Sequence, residues 1–139
     1  MTVDGKSVGR IGPGLVVLVG VGQDDSTADV VALSTKLTTL RIFRDDGGKM
    51  NRSVVDVAGE VLVVSQFTLL ADLRKGRRPS FVAAASPTLA EPLVNELAEQ
   101  LRADGVSVRA GIFGAVMQVE MVNDGPVTIV VDTYQGKVV

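Results

Sequence analysis

Apolar residues fall along this chain in two distinct rhythms. The first is the unbroken, β-branched run: Leu15 to Val21 and Val61 to Val64 read as strands covered on both faces. The second is the helical spacing. Val30, Leu33, Leu37 and Leu40 mark one amphipathic helix, and Leu89, Leu93, Leu97 and Leu101 mark another. The first helix is announced by Ser26 standing three residues before Asp29, which places a carboxylate near the positive end of the helix dipole. The second opens at Ser86-Pro87, with Ser as cap and Pro in the first turn, and stops at Asp104-Gly105. Val106 to Ala110, Met117 to Val122 and Val127 to Val131 are expected to be three closing strands.

Polar punctuation supplies the turns. Asp4-Gly5 between Val3 and Val8 is a hairpin signal, and Asp45-Asp46-Gly47-Gly48 follows an extended Arg41-Ile42-Phe43. Asp72 to Ala85 is the only long irregular stretch. Strands mixed with two helices, without regular βαβ alternation, predict an α/β layer with a mixed sheet. No repeat or linker divides residues 1–139, and this length suits one domain.

Composition then removes whole chemistries. With 14 Lys+Arg against 16 Asp+Glu, the net charge of −2 excludes a generally basic nucleic-acid coat protein. There is no Cys and no His. That excludes a disulfide framework, a thiol nucleophile, a Ser–His–Asp triad and Cys- or His-ligated metals. Any hydrolysis must rest on carboxylates, hydroxyls, backbone N–H groups, Lys, Arg, Tyr or the substrate. The N-terminus lacks a signal peptide's apolar core, and no run approaches the ~20 apolar residues of a membrane span. A cytoplasmic protein without membrane contact is expected.

Several motifs have plain readings. Gly12-Pro13-Gly14 precedes a strand and has Val17 where a dinucleotide loop needs glycine, so it is a turn. Gly47-Gly48-Lys49 lacks the Ser or Thr of a phosphate loop. The pairs Asp24-Asp25 and Asp45-Asp46 read as turn and cap residues, and neither a metal nor a cofactor is expected.

Arg74-Lys75-Gly76-Arg77-Arg78 places four cations in five positions of the irregular stretch. It is either a solvated loop or a patch for the phosphates of a nucleic acid. Aromatic residues make up 4%, which disfavours stacking several bases on an aromatic sheet and favours a local RNA contact. Ser65-Gln66-Phe67-Thr68 ends a buried strand, where ligand sites of α/β sheets commonly sit, although a polar strand end is also simply a strand end. Gly125-Pro126 lies between two strong strand patterns.

Together, Val63-Val64-Ser65-Gln66-Phe67-Thr68-Leu69 and Met117-Gln118-Val119, followed by Val122-Asn123-Asp124-Gly125-Pro126-Val127-Thr128, resemble the two signatures of the D-aminoacyl-tRNA deacylase (D-tyrosyl-tRNA deacylase) family. Gly76-Arg77-Arg78-Pro79-Ser80-Phe81 and Gly111-Ile112-Phe113-Gly114 also match, and the resemblance covers nearly the whole chain.

The resemblance implies a barrel-like layer and a homodimer that hydrolyses the ester of D-aminoacyl-tRNA or mischarged glycyl-tRNA. Thr68, Ser65 and Gln66 would be catalytic. Phe67, Phe113, Met117, Gly125 and Pro126 would bind substrate. Arg74, Lys75, Arg77 and Arg78 would meet the tRNA. The Gly125-Pro126 peptide is implied to be cis and to enter the partner's pocket, where its carbonyls hold the amino group and an L-side chain would clash. Relatives carry an earlier strand whose Arg braces this loop. This chain begins in the segment after it, so either its start is set too late or the strand is absent, and absence would leave an unpaired sheet edge and an unbraced loop. Residues 134–139 extend past the last expected strand without an assigned role.

The residue chemistry fits. Without His or Cys, backbone N–H groups can carry a developing oxyanion, and Thr68 can orient water or attack as a nucleophile. No base accompanies Thr68 in sequence, which favours water assisted by the ribose hydroxyl. A catalytically impaired aminoacyl-tRNA-binding module and a small-molecule hydrolase are the alternatives.

Overall fold

The computed structural model describes residues 1–139. Its centre is a three-stranded parallel sheet in the order β3 (Gly14–Val19), β6 (Glu60–Ser65), β7 (Ser107–Ala110). Val61, Leu62, Val63 and Val64 of β6 are all buried, as an unbroken β-branched run demands. Their side chains alternate between faces. Val61 and Val63 join the main core with Val108, Val94, Leu97 and Leu101. Leu62 and Val64 join a small cluster with Met1, packed by Val8, Ile11, Met117 and Val119.

The helices α1 (Thr27–Thr39) and α2 (Pro87–Ala103) cover the first face and pack against each other. Their starts are where the capping signals place them. The Ser26 N–H donates to Asp29 Oδ2 at 3.1 Å, and Pro87 occupies the first turn of α2. Ser34, fully buried in α1, donates to Asp104 Oδ2 at 2.7 Å and so ties α1 to the end of α2. Short antiparallel pairs complete the chain: β1 (Thr2–Val3) with β2 (Lys6–Ser7), β4 (Phe43–Arg44) with β5 (Met50–Arg52), and β8 (Thr133–Tyr134) with β9 (Lys137–Val138).

Five expectations are corrected. The central sheet is wholly parallel rather than mixed, and β6–α2–β7 is a βαβ unit. Long irregular residues between β6 and α2 concealed it, as the β4–β5 hairpin concealed the β3-to-β6 crossover. No sheet closes into a barrel. β3 is only half-buried, with Leu18 exposed, because it lies at the sheet edge. Its Gly14 sits so close to β6 that a Cβ there would fall 1.8 Å from the Glu60 carbonyl oxygen.

The strands expected at Met117 to Val122 and Val127 to Val131 are absent. That run makes one bridge, in which Thr2 and Gln118 exchange N–H···O bonds of 2.9 Å. Elsewhere it has no neighbouring backbone to complete a ladder. Finally, residues 134–139 are not a tail: β8 and β9 pack on α1, and the Gly136 N–H donates to Asp29 Oδ1 at 3.0 Å.

Candidate active site

Ser65 closes β6, the middle strand, and the chain turns at once into a 3-10 helix, Phe67–Leu70. The turn is pinned at its base, where the Gln66 N–H donates to the Val19 carbonyl at 2.7 Å. It is also pressed against β3's exit, because a Cβ on Gly20 would fall 2.4 Å from the Leu70 side chain and 3.1 Å from the Gln66 carbonyl. A rigid, deeply buried strand thus delivers Ser65 and Gln66, half-buried, and Thr68, exposed, to the C-terminal edge of the parallel sheet.

The side chains of Gln66 and Thr68 meet. The Gln66 amide donates to the Thr68 hydroxyl oxygen. With that lone pair engaged, the hydroxyl's own proton is free to point outward, so Thr68 is set up as a donor. No carboxylate or amine hydrogen-bonds it. A hydroxyl so placed can orient a carbonyl or a water, and it lacks the adjacent base that a Thr nucleophile needs. Phe67 stands over half exposed and meets Phe81 edge-to-face, with ring centroids 5.0 Å apart and planes at 74°. That contact anchors the irregular stretch beside the turn.

The remaining residues of interest are distributed around this centre. Phe113 is half-buried against the helix-side core, whereas Met117 packs into the small cluster on the sheet's other face. The Gly125–Pro126 peptide is cis, and both residues are exposed. Its loop is braced from within: Asn123 donates through Nδ2 to Thr128 Oγ1 at 2.9 Å and accepts the Val127 N–H at 3.1 Å. None of the loop's hydrogen bonds reaches residues 65–68.

The basic loop is exposed throughout, but its cations are not equivalent. Arg74 forms a two-pronged pair with Asp72, Nε to Oδ1 at 2.9 Å and an Nη to Oδ2 at 2.7 Å. The Arg74 side chain, followed by its backbone N–H, holds the Asp72 carboxyl below its ordinary value. Lys75, Arg77 and Arg78 have no acidic partner. Sequence reasoning missed this pair, although the acid two residues before Arg74 was its signal.

The acidic pairs behave as caps. Asp25 Oδ2 accepts the Gly22 N–H at 2.7 Å, and Asp45 Oδ1 accepts those of Gly47 at 2.9 Å and Lys49 at 3.0 Å. No group of three or more acidic residues converges on a point that could hold a metal. No helix is long and apolar enough to cross a membrane.

Comparison with known proteins adds an independent line. The family model described as D-Tyr-tRNA(Tyr) deacylase matches residues 1–132. A D-aminoacyl-tRNA deacylase of Thermomicrobium roseum is 59% identical over 135 residues, covering 97% of this chain and 88% of the relative. One from Heliobacterium modesticaldum is 58% identical over 137 residues, covering 99% and 91%. Among solved structures, the c-Myc DNA Unwinding Element Binding Protein superposes with a TM-score of 0.87 at 41% identity, covering 92% of this chain and 87% of that one. A probable eukaryotic D-amino acid tRNA deacylase shares the fold, with a TM-score of 0.65 at 16% identity over 77% of this chain and 78% of its own.

Proposed function

The chain belongs to the D-Tyr-tRNA(Tyr) deacylase family, and from that premise we propose that it removes D-amino acids, and wrongly attached glycine, from tRNA by ester hydrolysis. The observation that carries the reading is the exposed Thr68 hydroxyl, which accepts from the Gln66 amide just beyond the buried β6 strand. It supplies a hydroxyl donor in a protein with no His or Cys to act as base or nucleophile.

In this mechanism the terminal ribose hydroxyl of the tRNA assists a water in attacking the ester carbonyl. Backbone N–H groups of the 66–68 turn receive the developing oxyanion, with Ser65 and Gln66 shaping the pocket and Thr68 aligning the reacting group. The ester C–O bond then breaks. Its oxygen leaves on the ribose and takes a proton, and the amino acid departs as the free acid.

Chirality is sorted by exclusion. Phe67, exposed beside the 66–68 turn, offers the acceptor-side wall, while Phe113 and Met117, half-buried in separate clusters, would contribute to substrate binding from opposite faces of the sheet. Gly125 and Pro126 of a second copy enter the pocket, where their carbonyls take the amino group and leave no room for an L-side chain. The homodimer is therefore part of the site, and residues 1–139 act as one catalytic domain. The setting is the cytoplasm, where charged tRNA is used. Lys75, Arg77 and Arg78, exposed and without acidic partners, support tRNA as the substrate.

The test is amino acid release from D-Tyr-tRNA, L-Tyr-tRNA and Gly-tRNA. Release from the D- and glycyl esters alone supports the reading. Equal release from D and L removes the chiral gate, and binding without release identifies an aminoacyl-tRNA-binding module instead. Thr68→Ala should lower kcat by about 100-fold, the cost of one lost preorganised donor. Its Tm should hold, because the side chain is exposed. An acyl-enzyme trapped on Thr68 in the parent would make it the nucleophile and overturn the water mechanism.

A further inference from the structure

An open groove of about 650 Å³ begins where the 65–68 segment ends. Its floor is aliphatic, formed by Leu69, Leu70, Leu73 and Ala83, and its rim carries the Asp72–Arg74 pair. Leu73 is 69% exposed and neighbouring Val82 78%, an apolar surface with no covering element in this chain. Lys75, Arg77 and Arg78 continue directly from the rim. Apolar surface beside unpaired cations matches a ligand that is flat and apolar on its faces but anionic along its backbone, which is a single-stranded nucleic acid.

We propose that this groove seats an unpaired nucleotide of the tRNA 3′ end, on the 5′ side of the terminal adenosine. The inference rests on the tRNA reading above. It gives Arg74 a different task from its neighbours. Its charge is already answered by Asp72, and the two-pronged pair holds the guanidinium as a fixed plane on which a base can stack. Lys75, Arg77 and Arg78 meet the phosphates.

The experiment compares kcat/KM for a D-tyrosyl ester of adenosine with that for the same ester on a cytidine-cytidine-adenosine trinucleotide. The parent should favour the trinucleotide by roughly 10-fold, the effect of one stacked base. Leu73→Asp should bring that ratio near unity. Arg74→Lys, which keeps the charge but not the plane, should lower it as well. A parent ratio near unity, or a ratio that neither variant changes, overturns the proposal.

Calorimetric binding of the uncharged trinucleotide reads the groove without catalysis. Binding to the parent that Leu73→Asp abolishes supports the groove even if neither ester is hydrolysed, a result that would count against the proposed activity alone. No binding overturns the groove. Sedimentation of Leu73→Asp completes the set: an unchanged assembly is expected, and dissociation of a parent dimer would assign the groove to a second copy instead.

Discussion

Two stretches of this chain have nearly the same vocabulary and opposite fates. Val61-Leu62-Val63-Val64 and the run from Met117 to Val131 are both rich in β-branched and aliphatic residues. The first is the buried middle of a parallel sheet. The second stays outside any ladder except at Gln118, with Val122 91% and Val130 84% exposed. The difference lies in partners. β6 has a strand on each side and a packed cluster on each face, whereas the later run has one backbone bridge, to Thr2, and packs only Met117 and Val119 against the small cluster. Strand preference describes how well a residue suits a pleated, half-buried surface, and it cannot create that surface.

Amide exchange gives the largest expected contrast. The N–H groups of 61–64 should exchange only on global unfolding and those of 119–122 through local opening, a separation of about 10³-fold or more. Comparable protection in both would show that the later run has found a partner in solution, as the proposed dimer would supply. Stability sharpens the same comparison. Leu101→Ala, at a fully buried position of α2, should cost about 2–5 kcal/mol in urea unfolding, and Val122→Ala should stay within roughly 0.5 kcal/mol.

Asp29→Asn should cost about 1–2 kcal/mol by weakening a helix cap and the attachment of β8–β9. Burial pushes the Asp29 carboxyl up, but the N–H groups of Gly136 and Ser26 outweigh it and hold it below its ordinary value. Its contribution is therefore complete above the ordinary carboxylate value and is lost as pH falls through the lower folded one. The parent's Tm should drop more steeply than that of Asp29→Asn below about pH 4. The smallest effect belongs to Asn123→Ala, which removes both internal braces of the Gly-Pro loop. Under the proposed gate, the D-over-L ratio should fall a few-fold (about 1 kcal/mol) while Tm stays constant.

The same contrast explains what could be read in advance. β6 was legible because both of its faces are apolar, and α1 and α2 because their caps and spacing are local signals. The position of Ser65 to Thr68 at a strand end was legible because they follow β6 directly, whereas their candidacy as a site came from the family resemblance. The Gln66–Thr68 contact and the Arg74–Asp72 pair span two residues each, yet they needed side-chain directions that spacing does not supply. The bond between Gly136 and Asp29 crosses 107 residues and leaves no periodic trace. Neither does the choice of which strand lies beside β6. The placement of Phe113 and Met117 in different clusters follows from topology alone.

That long-range bond also has a mechanical meaning. Tension applied at Val139 would pass through the β8–β9 pair to Asp29, and so to the first turn of α1. In a single-molecule pulling experiment the C-terminal handle should grip this helix first, and the earliest rupture should be the release of the last seven residues. The Asp29→Asn substitution should lower the force of that first event and leave the later unravelling of the parallel sheet at its original force.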